Sequence, residues 1–546
     1  MPIRRLLVAN RGEIAVRIFR TCRALGIETV AVVAPDDRGS LHARAADETV
    51  EITSYLHSEE HVRAARQSGA DAIHPGYGFL AENGDFAEAV EAASLTWIGP
   101  SPESLRLGGD KLAAKRIARE AGVPVLPDGN VAEIGFPILV KAAAGGGGRG
   151  MRVVRSRGEL DEAVAAAERE ASGAFGDGSL YFERYLERPR HVEVQLLADA
   201  HGTVVALGER DCSVQRRHQK VLEEAPAPGL SDDLRARLHE AAVAFGRAIA
   251  YRSAGTVEFV VDGDAFYFLE LNGRIQVEHP VTEAVTGLDL VERQIRVAEG
   301  EALATTCHEL LGHAVEVRLY AEDSRTFLPQ TGRIERLELA SYKLSQAPFG
   351  VRVDAGVEEG DEIGLAYDPM IAKVIAHGPD RAGALDLLAD ALAETRIGGV
   401  TTNVQFLRWL VAHPIVREGV ATTAFLTEHP PLSARPLRLP AAPFRGPWRL
   451  NLPTPPAVAP PDLASESQRA SAALGESTVV SPMPGTVIRV EVTPGDAVRA
   501  RQPLVVLEAM KMEIPVHSPF DGSVTAVLVA PGDRVAGGAL LVELET

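Results

Sequence analysis

The sequence predicts a multidomain chain: a doubly wound α/β domain at the N-terminus, further α+β units, a proline-rich linker and a small all-β domain at the C-terminus. Three observations carry this reading. Apolar, strand-like runs alternate with helical stretches through the first hundred residues, a run of four glycines follows the strand-like PILVK, and the last segment repeats itself at a spacing of 37 positions. With 546 residues the chain exceeds what one hydrophobic core serves, at roughly 100–200 residues per domain.

The first unit, residues 1–110, sets strands at Leu6 to Ala9, Thr29 to Ala34, Ala72 to Ile73 and Leu95 to Ile98 around helices such as Glu13 to Ala24, the βαβ pattern of a parallel sheet. Asn10-Arg11-Gly12 lacks the G-x-G-x-x-G fingerprint, so a dinucleotide site is not expected there. Residues 111–189 hold PILVK, the glycine loop and a helix near Gly158 to Ala171, and a larger unit spans 190–430. Residues 431–478 are dense in Pro and Ala, which favours extended polyproline conformations over a core. At roughly 3.1 Å per residue, about 25 such residues reach on the order of 75 Å.

In the last unit, residues 479–546, Ser481-Pro482, Gly485, Pro494-Gly495-Asp496 and Leu507-Glu508 recur as Ser518-Pro519, Gly522, Pro531-Gly532-Asp533 and Leu544-Glu545. Two copies of one β-unit, each too small to bury its own apolar face, predict a quasi-symmetric sandwich or barrel. Lys511 falls at the junction, flanked by Met510 and Met512, where symmetry places an exposed hairpin.

Composition narrows the function classes. Hydrophobic residues at 46% and charged residues at 24% describe an ordinary globular protein, so disorder or a fibre is excluded. The 56 basic and 75 acidic side chains leave a net charge of −19 with no long basic run, so no nucleic acid partner is expected. Cys22, Cys212 and Cys307 form no C-x-x-C spacing and are read as reduced structural thiols. The apolar stretch after MPIRR is too short for a signal sequence and nothing approaches the roughly 18 apolar residues of a membrane span, so no membrane partner and a cytoplasmic location are expected.

Lys141 ends an apolar strand and precedes Gly145-Gly146-Gly147-Gly148-Arg149-Gly150. Glycines let backbone N–H groups approach phosphate oxygens, and such a loop suits a lid over a nucleotide; the Walker A pattern is not matched. Gly255 to Val261 and Ala265 to Leu271 read as two strands joined by a tight turn, with Glu258 and Glu270 six residues either side of Asp264. Antiparallel pairing makes these glutamates cross-strand neighbours facing one side. Adjacent inward carboxylates repel unless a cation lies between them, and hard oxygen donors favour Mg2+ or Mn2+, with Asn272 as a further oxygen; the plainer reading is an acidic hairpin face in water.

Several segments together resemble biotin carboxylases, which are ATP-grasp enzymes, over nearly all of residues 1–440: His74-Pro75-Gly76-Tyr77-Gly78-Phe79-Leu80, the glycine loop, Glu209 to Lys220, and Glu270 to Pro280. Glu508-Ala509-Met510-Lys511-Met512 resembles the attachment motif of biotin carrier domains, whereas lipoyl domains of the same fold typically carry Asp-Lys-Ala. The resemblance implies the alpha subunit of an acyl-CoA carboxylase, with covalent biotin on Lys511, ATP, bicarbonate and Mg2+ or Mn2+ as cofactors and substrates. Its implied partners are a carboxyltransferase beta subunit, a biotin protein ligase and further copies in an oligomer. The acceptor is an acetyl- or propionyl-CoA type thioester, or alternatively 3-methylcrotonyl-CoA, geranyl-CoA or pyruvate.

Carried over residue by residue, Lys111, Lys141 and His191 contact or flank the ATP phosphates with Gly145, Gly146, Gly147 and Gly148. Glu183 and the Leu186 backbone hold adenine, and Gln215, His218 and Lys220 line the nucleotide and bicarbonate side. Glu258, Glu270 and Asn272 bind the metal, Arg274, Gln276 and the Val277 amide hold bicarbonate, Glu278 is the general base, and Arg352 stabilises the biotin enolate. His279 is read as structural. The sequence departs from the family at Gly273, where Thr is usual, at Arg184, where Lys is commoner, and over Leu337 to Gln346, a longer segment with no assigned role. Two rival readings are a ligase for a free acid and a carrier subunit without catalysis.

Overall fold

A computed structural model describes residues 2–142, 151–175, 177–216, 219–304, 309–343, 348–364, 366–431, 478–483, 485–509, 512–535 and 537–545. Five parallel strands, β1 (Arg5–Val8), β2 (Glu28–Val33), β3 (Glu48–Glu51), β4 (Ala72–His74) and β5 (Thr96–Trp97), form one sheet in the order β3-β2-β1-β4-β5. The strand order reverses between β1 and β4, and in such sheets the crevice beyond the strand ends at that point is where ligands lie. Helix α1 (Gly12–Leu25) leaves β1 there and closes on Gly26 in the left-handed conformation. Asn10 Nδ2 donates to the carbonyls of Pro75 (2.8 Å) and Tyr77 (2.7 Å), tying the loop after β1 to the one after β4. Gly76, at φ +64°, has to be glycine, since a Cβ there lies 2.8 Å from Asn10 Nδ2.

The second unit is a small antiparallel sheet of β6 (Ile138–Ala142), β7 (Arg152–Val154) and β8 (Leu180–Arg184), covered by a helix over Leu160–Phe175. That helix begins and ends a few residues later than the sequence pattern suggests. The glycine loop 145–148 lies outside the described residues.

A nine-stranded sheet forms the body. It runs β13 (Ala265–Asn272), β12 (Ser253–Asp262), β9 (Arg190–Ala198), β10 (Val204–Arg216), β11 (Gln219–Ala225), β14 (His313–Tyr320), then Met370–Gly378, Gly350–Ala355 and Tyr342–Lys343. Val315, Val317 and Val374 pack with Leu385 and Leu388 of the Arg381–Glu394 helix in one apolar core. On the opposite face Val281 and Val285, from the helix His279–Thr286, pack on Ala225, Ala314 and Ile375. The longer segment over Leu337 to Gln346 supplies an edge strand, Tyr342 pairing with Val351, before residues outside the described set.

The C-terminal unit is two four-stranded sheets over one apolar cluster. The sequence repeat maps onto it strand by strand: Gly485–Val490 and Gly522–Val527 lie in different sheets, as do Ala497–Val498 and Arg534–Val535. Gly495 and Gly532 take the same positive φ, +96° and +97°. The hairpin ladder from Pro503–Ala509 to Met512–His517 ends at the pair Ala509 and Met512; Met510 and Lys511 lie outside the described residues, as do 432–477 of the linker. Among the described residues no helix is long and apolar enough to cross a membrane.

Candidate active site

The hairpin of β12 and β13 places the two glutamates, though not by the simplest route. Gly263, at φ +61°, and Asp264 make a two-residue turn pairing Asp262 with Ala265. Continued without interruption, that register sets Phe259 against Phe268 and leaves Leu269 opposite Glu258. A one-residue bulge between the pairs Phe259–Phe268 and Glu258–Glu270 restores the glutamate pair. Both then sit on one side of the hairpin, opposite the apolar face that carries Phe259 and Phe268.

Lys220, on β11, is the centre of the cluster. Its ammonium lies 2.5 Å from Glu193, 2.7 Å from Glu258 and 2.7 Å from Glu278. Burial opposes its charge, but three carboxylates hold its pKa well above the usual lysine range. Glu278, fully buried, would be pushed up by desolvation; Lys220 and Arg318 hold it well below the usual carboxylate range. Glu258 is lowered in the same way by Lys220 and by His191, whose Nε2 is 2.9 Å away. Gln215 steadies that imidazole from the other side at 2.7 Å.

Glu270 differs. Burial and the neighbouring Glu258 raise its pKa, and Lys111 and Lys141 only partly offset them. A buried carboxylate pair with excess negative charge fits a divalent cation, and Asn272 stands beside it, donating to Glu258 at 2.8 Å. His191, Glu193 and Glu258 also bring donor atoms within 4.8 Å of each other. Glu193 is already engaged by Arg210 and Lys220, each at 2.5 Å, whereas Glu270 makes no ion pair among the described residues, so the hairpin pair is the better cation site.

Arg274 donates to Gln276 Oε1 at 2.7 Å and to Asn272 Oδ1 at 2.9 Å, and its Nε is 3.1 Å from Glu82. Gly273 leaves room for Leu105, whose Cδ2 is 2.9 Å from where a Cβ would stand. The Val277 carbonyl accepts from Lys373 at 2.8 Å, fixing the turn that carries Val277 and Glu278 into the helix His279–Thr286. His279 is buried with Nδ1 2.7 Å from the Gln276 carbonyl, and burial holds its pKa well below the usual histidine range, in keeping with a structural part.

On the lid side, Lys141 lies 2.6 Å from Glu183, and Lys115 pairs with the other oxygen of the same carboxylate. Despite burial, the two lysines hold Glu183 below the usual range. Lys111 and Lys115 start one helix, Lys111–Glu120, four residues apart and so on one face. Lys115 was not singled out from the sequence, although that spacing was there to be read. Leu186 is half-buried just beyond β8, and His218 lies outside the described residues.

Arg352, on the strand Gly350–Ala355, is held by Asp354 at 2.5 Å and by Glu283, from the helix that follows Glu278, at 2.7 Å. Arg318, on β14 and not singled out from the sequence, lies 3.1 Å from Glu278 and 2.5 Å from Glu223. The pairing of β14 with β11, Glu223 opposite Glu316, brings it there.

Family models match residues 2–105 (biotin carboxylase, N-terminal domain), 110–306 (carbamoyl-phosphate synthase L chain, ATP binding domain), 316–428 (biotin carboxylase C-terminal domain) and 477–544 (biotin-requiring enzyme). The chain is 47% identical to a biotin carboxylase of Halalkalibacterium halodurans, over 78% of this chain and 98% of that one. It is 48% identical to the mitochondrial methylcrotonoyl-CoA carboxylase subunit alpha of Oryza sativa, over 78% of this chain but only 60% of the relative's length. The biotin carboxylase domain of the Hydrogenobacter thermophilus 2-oxoglutarate carboxylase, solved as a dimer with MgADP, ADP and bicarbonate, superposes with a TM-score of 0.76 at 42% identity, covering 79% of this chain and 98% of that one. The chain belongs to the biotin carboxylase family and ends in a domain of the biotin-requiring-enzyme family.

Proposed function

We propose that this chain uses ATP and bicarbonate to carboxylate a biotin held on Lys511 of its own C-terminal domain, and hands the carboxyl group to a separate carboxyltransferase subunit acting on an acyl-CoA. The observation that carries it is the preassembled base: Glu278, buried and anionic, gripped by Lys220 at 2.7 Å and Arg318 at 3.1 Å. An anionic carboxylate can take the proton of bicarbonate as its oxygen attacks the γ-phosphate, while Arg274 and Gln276 orient that anion. Lys111, Lys115 and Lys141 gather positive charge on the lid side, where transferring phosphoryl oxygens need it.

Arg352 stabilises the biotin enolate: a guanidinium stays charged and aims paired donors at an oxygen on which negative charge develops. Arg318, beside Glu278, helps to hold that base in its anionic form. Glu258 and Glu270 would hold Mg2+ or Mn2+, which supplies charge neutralisation at the phosphates when bound. Biotin supplies the nitrogen that carries the carboxyl group between sites; the two-sheet carrier offers Lys511 between Ala509 and Met512 of one hairpin, after modification by a biotin protein ligase. Glu183 is read as positioning Lys141 and Lys115 through its carboxylate, with adenine left to its backbone and that of Leu186. An acyl-CoA acceptor and an oligomer are supported by the relatives named above.

The test is bicarbonate-dependent ADP release with free biotin. Replacing Glu278 by Gln should lower it by about 10²-fold or more, as expected for a general base. An undiminished rate would remove the assignment. Intact mass should show one biotin on wild-type protein made with an active ligase and none on Lys511→Arg.

A further inference from the structure

Behind the general base lies a second carboxyl pair that the reaction described so far does not use. Glu223 and Glu316 are direct cross-strand partners in the β11–β14 ladder, and both are fully buried. Glu223 Oε1 accepts from Arg318 Nε at 2.7 Å. Its Oε2 and both oxygens of Glu316 have no hydrogen-bond partner among the described residues. Side chains directly opposite in such a ladder stand about 5 Å apart at Cβ, within reach of each other.

The charged groups facing Glu316 come from every element packed on that side. Glu223 is on β11, Arg318 two residues along β14, and Lys373 on the strand Met370–Gly378, paired with Arg318. The helix His279–Thr286 lies over this face, with Glu278 at its start and His279 neutral behind it. On the reverse face the Arg381–Glu394 helix contributes Leu385 and Leu388, which are apolar. Lys373 is itself spoken for, by Glu13 at 3.2 Å and the Val277 carbonyl. Ion pairs link Glu193, Glu223, Glu258 and Glu278 with Lys220, Arg210, Arg318 and, when charged, His191, four against four, and Glu13 pairs with Lys373. Among the described residues Glu316 is left without an ion pair. An unpaired buried carboxylate is too costly to persist and takes up a proton instead.

We propose that Glu223 and Glu316 form a proton-sharing dyad whose singly protonated state, Glu316 neutral and Glu223 anionic, keeps Arg318 aimed at the reacting site. Glu316 is thus a positioning residue. Its O–H donates to the orphaned Oε2 of Glu223, which holds that carboxylate in place for Arg318. Loss of the proton puts a second negative charge beside Arg318, draws the guanidinium off Glu278 and weakens the donor. The directions agree: burial pushes Glu223 up to about 7, and burial holds Glu316 well above the usual carboxylate range, with Glu223 as a like charge beside it. The inference rests on the biotin carboxylase reading of the site.

Free-biotin carboxylation measured against pH tests it. Glu316→Gln, a neutral amide for a neutral acid of the same shape, should keep turnover near about pH 7.5 within about twofold. Its alkaline limb should move up by at least about one pH unit or vanish. An alkaline limb that coincides with wild type overturns the proposal, as does a loss beyond about tenfold in a folded variant, which would mean that an ionised Glu316 is needed. Infrared spectroscopy of wild-type protein, with and without carboxyl-labelled glutamate, needs neither the variant nor turnover. It should show a protonated buried glutamic acid at neutral pH that ionises along the alkaline limb; absence of that band refutes the dyad even if the enzyme carboxylates biotin.

Discussion

Replacing Arg318 by Met, and in a second variant Arg352 by Met, should separate the arginine that holds the base from the one assigned to the biotin enolate. Arg318 makes one contact to Glu278 at 3.1 Å and two to a single oxygen of Glu223, at 2.5 and 2.7 Å, all buried. Arg352→Met removes a preorganised donor from the biotin enolate, at a cost of about 2.7–4 kcal/mol of transition-state stabilisation, or about 10²–10³ in kcat. Arg318→Met instead strips Glu223 and Glu278 of a partner, and breaking a buried ion pair destabilises by about 3–5 kcal/mol, so the melting temperature should fall as well. The two are told apart by comparing biotin carboxylation with biotin-independent, bicarbonate-dependent ATP hydrolysis in the folded variants: Arg352→Met should lower the first by about 10²-fold or more and the second by far less, whereas Arg318→Met, acting through Glu278, should lower both together. If Arg352→Met left carboxylation near wild type while Arg318→Met lowered it without touching ATP hydrolysis, the two roles would be exchanged.

Other consequences are accessible to simple measurements. Glu258→Gln should raise the Mg2+ concentration for half-maximal activity by about 10–100-fold, read by metal titration. Gly273→Thr brings a Cβ to 2.9 Å from Leu105 Cδ2; overpacking should cost about 1–3 kcal/mol and raise the KM for bicarbonate through Arg274, and adding Leu105→Ala should restore both. Burial raises Glu223 to about 7 in the folded protein, so the native state holds a proton that the unfolded chain releases. Its contribution is complete below the unfolded value of about 4.3 and is lost as pH rises through about 7, so thermal stability should decline across that window, and Glu223→Gln should flatten the decline.

Much of this architecture was legible because its signals are local. The βαβ rhythm gave the parallel sheet, and the 37-residue repeat anticipated that Gly485–Val490 and Gly522–Val527 would occupy equivalent places in two sheets. The glutamate pair was anticipated for a partly mistaken reason: symmetry about Asp264 was assumed, whereas a tighter turn and a bulge together give the same partner. Contacts set by strand order were not legible. Arg318 reaches Glu278 across 40 positions and Glu223 across 95, and nothing in the spacing singles it out. Lys115 was missed for a different reason: a lysine on an amphipathic helix face is ordinarily solvated, and only its pairing with Glu183 shows that this one is buried.

The charge arrangement also explains how a chain with a net charge of −19 can serve an anionic nucleotide. At ordinary ionic strength exposed acids more than about 10 Å away are largely screened, so the local cleft decides. There Lys111, Lys115 and Lys141 stand on the lid side, Lys220, Arg274 and Arg318 on the floor, and the carboxylates among them hold the cations in fixed directions rather than cancelling them uniformly. Such a set is a poor source of stability, because each ion loses water on folding. What holds it in place is the apolar packing on either side of the nine-stranded sheet, with Leu385 and Leu388 beneath β14 and Val281 and Val285 above it. The donors are therefore already oriented when substrate arrives, and reorganisation that would otherwise burden the transition state has been met in folding.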